Sequence, residues 1–245
     1  MLETTKQNAE AKSPNWEWVE TRVWTERMLA ALVNGVQGGK WFSLYDKIYR
    51  PEVLEAACQR VSKNKGAAGV DKISVERFES NKQCYLDELH TGLKTGSYQP
   101  QPVRRIEIPK GDGKTRPLGI PTVKDRIVQA ALKSVIEPIY EHQFLDMSYG
   151  FRPGRGCKDA LREVQQWLDD GYCWVVDADI QGYFDNISHE RLMMRITESI
   201  SDGKVLGLIK EFLEQDILTE VKKWTPVKGT PQGGLCKALH NAPYA

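Results

Sequence analysis

The chain has 245 residues, 40% of them apolar and 27% charged, with a formal net charge of +1. This is ordinary globular usage, enough for one sizeable core or two small ones, and it excludes both a disordered chain and a protein whose net charge alone selects a polyanion. Five widely spaced cysteines without a C-x-x-C pair exclude a disulfide framework or a zinc cluster of that pattern and point to a reducing, cytoplasmic setting. No apolar stretch approaches the ~18 residues of a membrane span, so no membrane partner is expected, and the start MLETTKQNAEAKSPN is too polar for a secretory signal.

Residues 1–15 are polar and aperiodic and read as a disordered N-terminus. From Trp16 to Val33, apolar residues recur at helical spacing, which predicts a helix of about four to five turns ended by Asn34-Gly35, its aromatic face on the core. Pro51 opens a second helix to about Ser62. The loop KNKGAAGVD (63–71) lacks a Lys-Ser/Thr pair after its second glycine, so it reads as a turn and not as a phosphate-binding loop. A third helix runs from Glu76 to about Lys94, closed by Gly96. Val103 to Pro109 alternates as a strand, GDGKTRP makes a hairpin turn, and a long helix runs from about Val123 to Phe144, bent near Pro138.

The stretch 101–133 holds eight Lys/Arg against three acids, a local charge of +5 by subtraction. Such a run is either a solvated face or a surface for polyphosphate. Further on, Trp174 to Asp179 alternates as a strand leaving a core, with Asp177 and Asp179 on one face. The end of a strand is where open sheets place chemistry. A turn follows at Gln181 to Phe184, and Ser188 caps a helix beginning at His189. Leu206, Leu208, Ile209 and Phe212 have the spacing of a core helix, and 217–221 with 224–227 reads as a short hairpin.

Five blocks, KNKGAAGVD, IPKGDGKTRPLGIPTVKDRIVQAAL, MSYGFRPGRG, DADIQGYFDNI and KGTPQGG, stand in the order found in the reverse transcriptases encoded by bacterial group II introns, which the chain resembles across roughly residues 41–234. The resemblance implies an α+β fold, the fingers and incomplete palm of a right-hand polymerase, helix-rich with small antiparallel sheets. It implies a division into a disordered start (1–15), an N-terminal helical extension (16–40), fingers with the basic hairpin (41–160), a partial palm (161–234) and an atypical tail (235–245). It also implies nucleotidyl transfer by two Mg2+ ions about 3.5–4 Å apart. Carried over residue by residue, Asp179 holds metal and is the catalytic carboxylate, with Asp177 ranked second. Phe184, five residues on, walls off the sugar 2′ position. Lys110 and Arg116 neutralise the β- and γ-phosphates, while Gln232 and Gly233 lie beneath the sugar. Arg104, Arg105, Lys124 and Arg126 hold RNA, and Arg152 either contacts template or pairs with an acid of the palm. The implied partners are an intron RNA template, a DNA primer and deoxynucleoside triphosphates.

After KGTPQGG the family continues to a strand hairpin carrying Tyr-x-Asp-Asp, whereas this sequence reads LCKALHNAPYA. The expectation is therefore half of a metal site, a truncated form inactive alone, with apolar surface exposed and with self-association or a complementing chain as ways to complete it. Two other readings are a non-catalytic, maturase-like module that retains intron RNA, and an RNA-dependent RNA polymerase. Phe184 and the absence of Ser/Asn sugar selectors disfavour the latter.

Overall fold

The computed structural model describes residues 16–36, 38–111, 113–219 and 222–230. Among them are the helices α1 (Glu26–Asn34), α2 (Tyr45–Ile48), α3 (Pro51–Asn64), α4 (Val75–Ser80), α5 (Lys82–Thr95), α6 (Val123–Glu141), α7 (Cys157–Asp169), α8 (Tyr183–Asn186), α9 (His189–Ser199) and α10 (Gly203–Leu213). The strands are β1 (Val103–Gly111), β2 (Lys114–Ile120), β3 (Ile217–Leu218) and β4 (Lys223–Trp224).

The first predicted helix is shorter than its pattern. Residues 16–24 form turns, and only from Thr25, whose hydroxyl accepts from Met28 N, does a helix start. The third predicted helix is two: α4 is capped by Ser74, and Asn81, outside the helical region, breaks it from α5.

Helix α6 is the centre of the core. Ile127, Val128, Ala131, Leu132, Val135 and Ile136 are all fully buried, because α3 and its other neighbours cover it on several sides. Pro138 lies inside this helix and has no N–H to give the carbonyl four residues back, Ser134 O. The indole Nε1 of Trp24 donates to that carbonyl at 3.0 Å. A buried acceptor that the proline would have orphaned is thus satisfied from the N-terminal segment, by a donor that a Phe there would lack.

The base of the sheet is fixed by one buried carboxylate. Asp125 receives the Tyr98 hydroxyl (2.6 Å), Gln101 N (3.1 Å) and Gln215 Nε2 (3.2 Å), which ties the starts of β1 and β3 to α6. Burial pushes its carboxyl above the usual range, against the pull of those donors.

The strands form one sheet in the order β2-β1-β3-β4. The two hairpins are antiparallel, as the sequence indicates, and β1 joins them through a short parallel pairing with β3. Thus the fold is helix-rich with a small mixed sheet.

The strand expected at 174–179 is absent. Residues 173–180 have no regular secondary structure and no backbone pairing among the described residues, and Trp174 and Val176 are 96% and 94% exposed. An extended segment becomes a strand only when a neighbour takes its N–H and C=O groups, and no described residue does so. Helix α7, which the sequence reading did not identify, contributes no residue to the core and leaves Leu161, Val164, Trp167 and Leu168 in solvent. The exposed apolar surface expected from the sequence is therefore present.

Candidate active site and nucleic-acid interface

Register sorts the basic hairpin into two faces. Arg104 pairs with Ile120 and Ile108 with Arg116, so Arg104 and Arg116 project to one side; Arg105, paired with Gly119, projects to the other. The register shifts between Pro109 and Gly111, which puts Lys110 in the irregular tip; its side chain lies outside the described residues.

Ion pairing divides the local positive charge further. Arg105 pairs with Glu107, Lys124 with Glu88 and Lys133 with Glu137. Arg126 turns inward, donating to Lys65 O (3.2 Å) and Ala67 O (2.8 Å). It closes the loop 63–71 onto α6, and Gly69 approaches so closely that a Cβ there would meet Thr122 Cα at 2.7 Å. The glycines of this loop serve packing, in line with its reading as a turn. Among the described residues of 101–133, Arg104 and Arg116 have no ion-pair partner, and Arg104 Nε has no hydrogen-bond partner.

Arg152 is buried and committed to the protein. Its guanidinium meets Glu141 (Nε to Oε1 2.9 Å, Nη2 to Oε1 2.8 Å), donates from Nη1 to Leu145 O and Ser148 O, and lies 5.3 Å from the Phe144 ring centre. Of the two roles left open by the sequence, the geometry gives it the acid partner.

Asp177 and Asp179 are exposed on the segment without regular secondary structure. The chain then turns through Gly182, and α8 carries Phe184, half-buried and edge-on to Tyr183 at 5.6 Å between ring centres. The carboxylates are hard oxygen donors of the kind a divalent cation takes. Among the described residues they belong to no cluster of three or more candidate ligands, so they would supply part of a ligand set.

The turn bearing Phe184 is clamped to the loop that leads toward Gln232. Gly229 N donates to Ile187 O (2.8 Å), Thr230 N to Phe184 O (2.9 Å) and Lys228 Nζ to Asn186 Oδ1 (2.9 Å). His189 Nε2 sits 2.7 Å from Gly229 O; a carbonyl only accepts, so that nitrogen carries the proton. Gly229 has φ +82°, and a Cβ there would lie 2.8 Å from Asp185 O and 3.0 Å from Asp185 Cα. Sequence reasoning missed Gly229 and His189 as clamp residues, although both stand within or beside quoted motifs. Gln232 and Gly233 lie outside the described residues.

The Gly229→Ala variant is expected to open this clamp, because the left-handed backbone penalises an L side chain by about 1–2 kcal/mol and the Cβ strikes main chain that cannot yield. Amide exchange at Gly229 and Thr230 should accelerate by roughly five- to thirtyfold. Unchanged protection of those two amides would refute the clamp.

The chain is similar to several known proteins. Residues 108–241 match the family "Reverse transcriptase (RNA-dependent DNA polymerase)". The group II intron-encoded protein LtrA of Lactococcus lactis subsp. cremoris is 40% identical over 199 residues, which cover 80% of this chain and 33% of that protein. Protein YkfC of Escherichia coli (strain K12) is 38% identical over 200 residues, covering 78% of this chain and 52% of that protein. A chain of the solved "Partial Cas6-RT-Cas1--Cas2 complex" aligns with a TM-score of 0.48 at 23% identity, covering 81% of this chain and 34% of that one. This chain thus spans between a third and about half of the length of the two curated relatives. The chain belongs to the reverse transcriptase family, with group II intron-encoded proteins among its relatives.

Proposed function

We propose that this chain forms the fingers and first palm segment of an RNA-directed DNA polymerase of group II intron type, holding an RNA template, a DNA primer and a deoxynucleoside triphosphate. One observation carries the reading: the Phe184 turn is bolted by main-chain hydrogen bonds to the loop that leads toward Gln232. The walls of a sugar pocket must keep their spacing to read a missing hydroxyl, and this clamp holds one wall against the approach to the other.

In this reading Phe184 excludes a 2′-hydroxyl, Gln232 and Gly233 lie beneath the sugar, and Lys110 and Arg116 bind the triphosphate. Asp179, with Asp177 beside it, is the residue that would hold divalent metal. Mg2+, when bound, would stabilise charge on the attacking and leaving oxygens. Arg104 meets template phosphate, with Arg105 and Lys124 adding charge at the rim. Arg126 and Arg152 act at one remove, by holding the loop 63–71 and the 145–152 segment in place. The apolar side chains of α7 and of 174–180 form the surface on which further palm polypeptide, from a longer chain or a complementing one, would pack. The described cysteines are free thiols, which suits a reducing, cytoplasmic compartment.

The test is retention of an RNA template annealed to a DNA primer, with Mg2+ and the next deoxynucleotide. Binding should strengthen with the matching deoxynucleotide, and Asp179→Ala should remove that increment while leaving the nucleotide-free binding in place. Equal retention of any structured RNA, with no response to nucleotide or to Asp179→Ala, would replace this reading with that of a maturase-like RNA-binding module.

A further inference from the structure

The sheet face turned away from Arg116 carries a cleft to which the roles above assign no ligand. Arg105 on β1 and its register partner Gly119 on β2 point to this side, and Trp224 on β4 stands beside them. The opposite wall comes from the clamp: Asp185, Lys228 and Thr230. Between the walls is a cavity of about 160 Å³.

The lining has the chemistry of a site for one flat, polar-edged ring. The Arg105 guanidinium lies 5.6 Å from the centre of the Trp224 ring, and planar guanidinium and indole are the surfaces on which unpaired nucleobases stack. Gly119, by lacking a side chain, leaves the sheet side of the cleft open. Thr230 lines the cleft, is only 5% exposed, and its Oγ1 has no hydrogen-bond partner. A buried hydroxyl without a partner is uncommon in folded proteins, because the loss of solvation goes uncompensated. Its backbone N–H is already held by Phe184 O, which fixes the main chain at this position. Asp185 offers acceptors, and Lys228, after its bond to Asn186, still has donors to give. Amide or amine edges of a base would therefore meet complementary groups along that wall.

We propose that this cleft receives one unpaired nucleobase of bound RNA, stacked against Arg105 and Trp224, with its polar edge toward Thr230 and Asp185. The polymer rests on the RNA-binding reading above; the pocket does not, so it is tested first with free nucleosides. Adenosine, guanosine, cytidine and uridine are titrated at millimolar concentration into the 245-residue chain, and the Thr230 methyl and Trp224 indole N–H resonances are followed. At least one nucleoside should shift both saturably. Thr230→Val keeps the shape and removes the hydroxyl, and should weaken that binding by roughly two- to tenfold, the worth of one hydrogen bond. Trp224→Ala should weaken it by roughly five- to a hundredfold through lost stacking. In a second arm, a single-stranded RNA carrying one 2-aminopurine should show a fluorescence change on binding that Trp224→Ala and Thr230→Val both reduce.

No shift with any nucleoside, or shifts that Thr230→Val leaves unchanged, would overturn the pocket. In that case, salt-sensitive RNA retention through Arg104 would still stand. Nucleoside shifts that respond to Thr230→Val in a chain that retains no RNA would keep the pocket and overturn the RNA-binding reading instead.

Discussion

Arg152→Ala is expected to lower the stability of this chain by about 3–5 kcal/mol, the usual consequence of removing one partner of a buried ion pair. The residue is 8% exposed, and its guanidinium uses three nitrogens at once, against the Glu141 carboxylate and the main-chain carbonyls of Leu145 and Ser148 among others. Removing it leaves the Glu141 carboxylate largely buried without its cation, with Oε2 already lacking a partner, takes the side-chain donor from Ser148 O, and leaves Leu145 O with the Ser148 N–H alone. The midpoint of thermal unfolding should fall by roughly 2–4 °C for each kcal/mol lost. Arg152→Lys should recover little, since a single ammonium cannot span a carboxylate and two carbonyls held by a planar fork. A double change to Arg152→Met with Glu141→Leu should recover most of it, because no unpaired charge then remains buried. The alternative role predicts the opposite pattern. If Arg152 contacts template, Arg152→Ala would leave the unfolding midpoint in place and weaken RNA binding.

How far the sequence disclosed this molecule depended on whether a signal was local. Proline, cap and periodicity placed α3, α6, α9 and α10 within a few residues, because Pro51 and Ser188 each begin a helix by chemistry confined to one turn and apolar spacing marks the bodies of α6 and α10; the caps Thr122 and Asp202 were not read from the sequence. The basic hairpin was legible for the same reason, its alternation and its turn being adjacent in the chain. Signals that need a distant partner misled. The alternating run 174–179 has the pattern of a strand, yet pattern supplies no neighbour for its backbone groups, and among the described residues it stays unpaired. The amphipathic repeat from Trp16 was read as one long helix, while Trp24 is instead held at a turn to serve Ser134, a carbonyl freed by a proline more than a hundred residues away.

The same limit governs the site. Motif residues were found by type and order, but their faces and partners were not visible. Arg104 and Arg105 are neighbours in sequence and were assigned one role, whereas register sends them to opposite sides of the sheet. Arg126 counted as positive charge until the structure showed it turned to the carbonyls of Lys65 and Ala67, and Arg152, left open between template and an acid, is turned to Glu141. Asp125, one of the three acids set against that charge, is buried beneath Tyr98 and belongs to the core's account of hydrogen bonds and not to the surface field. Gly229 and His189 went unassigned because a clamp between residues forty positions apart leaves no local trace.

RNA retention should depend most steeply on the hairpin base, and the double variant Arg104→Glu with Arg105→Glu is the change expected to damage it most. Each phosphate neutralised by a cation releases counterions, so the logarithm of affinity falls with the logarithm of salt by about 0.7–0.9 per contact. Arg104 stands with Arg116 on one face without an ion pair among the described residues, so it enters the interface with its full charge. Arg105 must first give up Glu107, which reduces its net contribution without removing it. Losing both contacts should flatten the salt slope by about one to two units. The single variants should differ: Arg104→Glu should account for most of the lost slope, and Arg105→Glu for less, because Glu107 already balances much of the Arg105 charge. Lys124→Glu and Lys133→Glu, whose partners Glu88 and Glu137 already balance them, should move the slope little beyond the general change in net charge. If the slope of the double variant equals that of the unmodified chain, the phosphate track runs elsewhere. If Lys124→Glu flattens it as much as Arg104→Glu does, ion pairing on this surface does not decide which cations meet RNA.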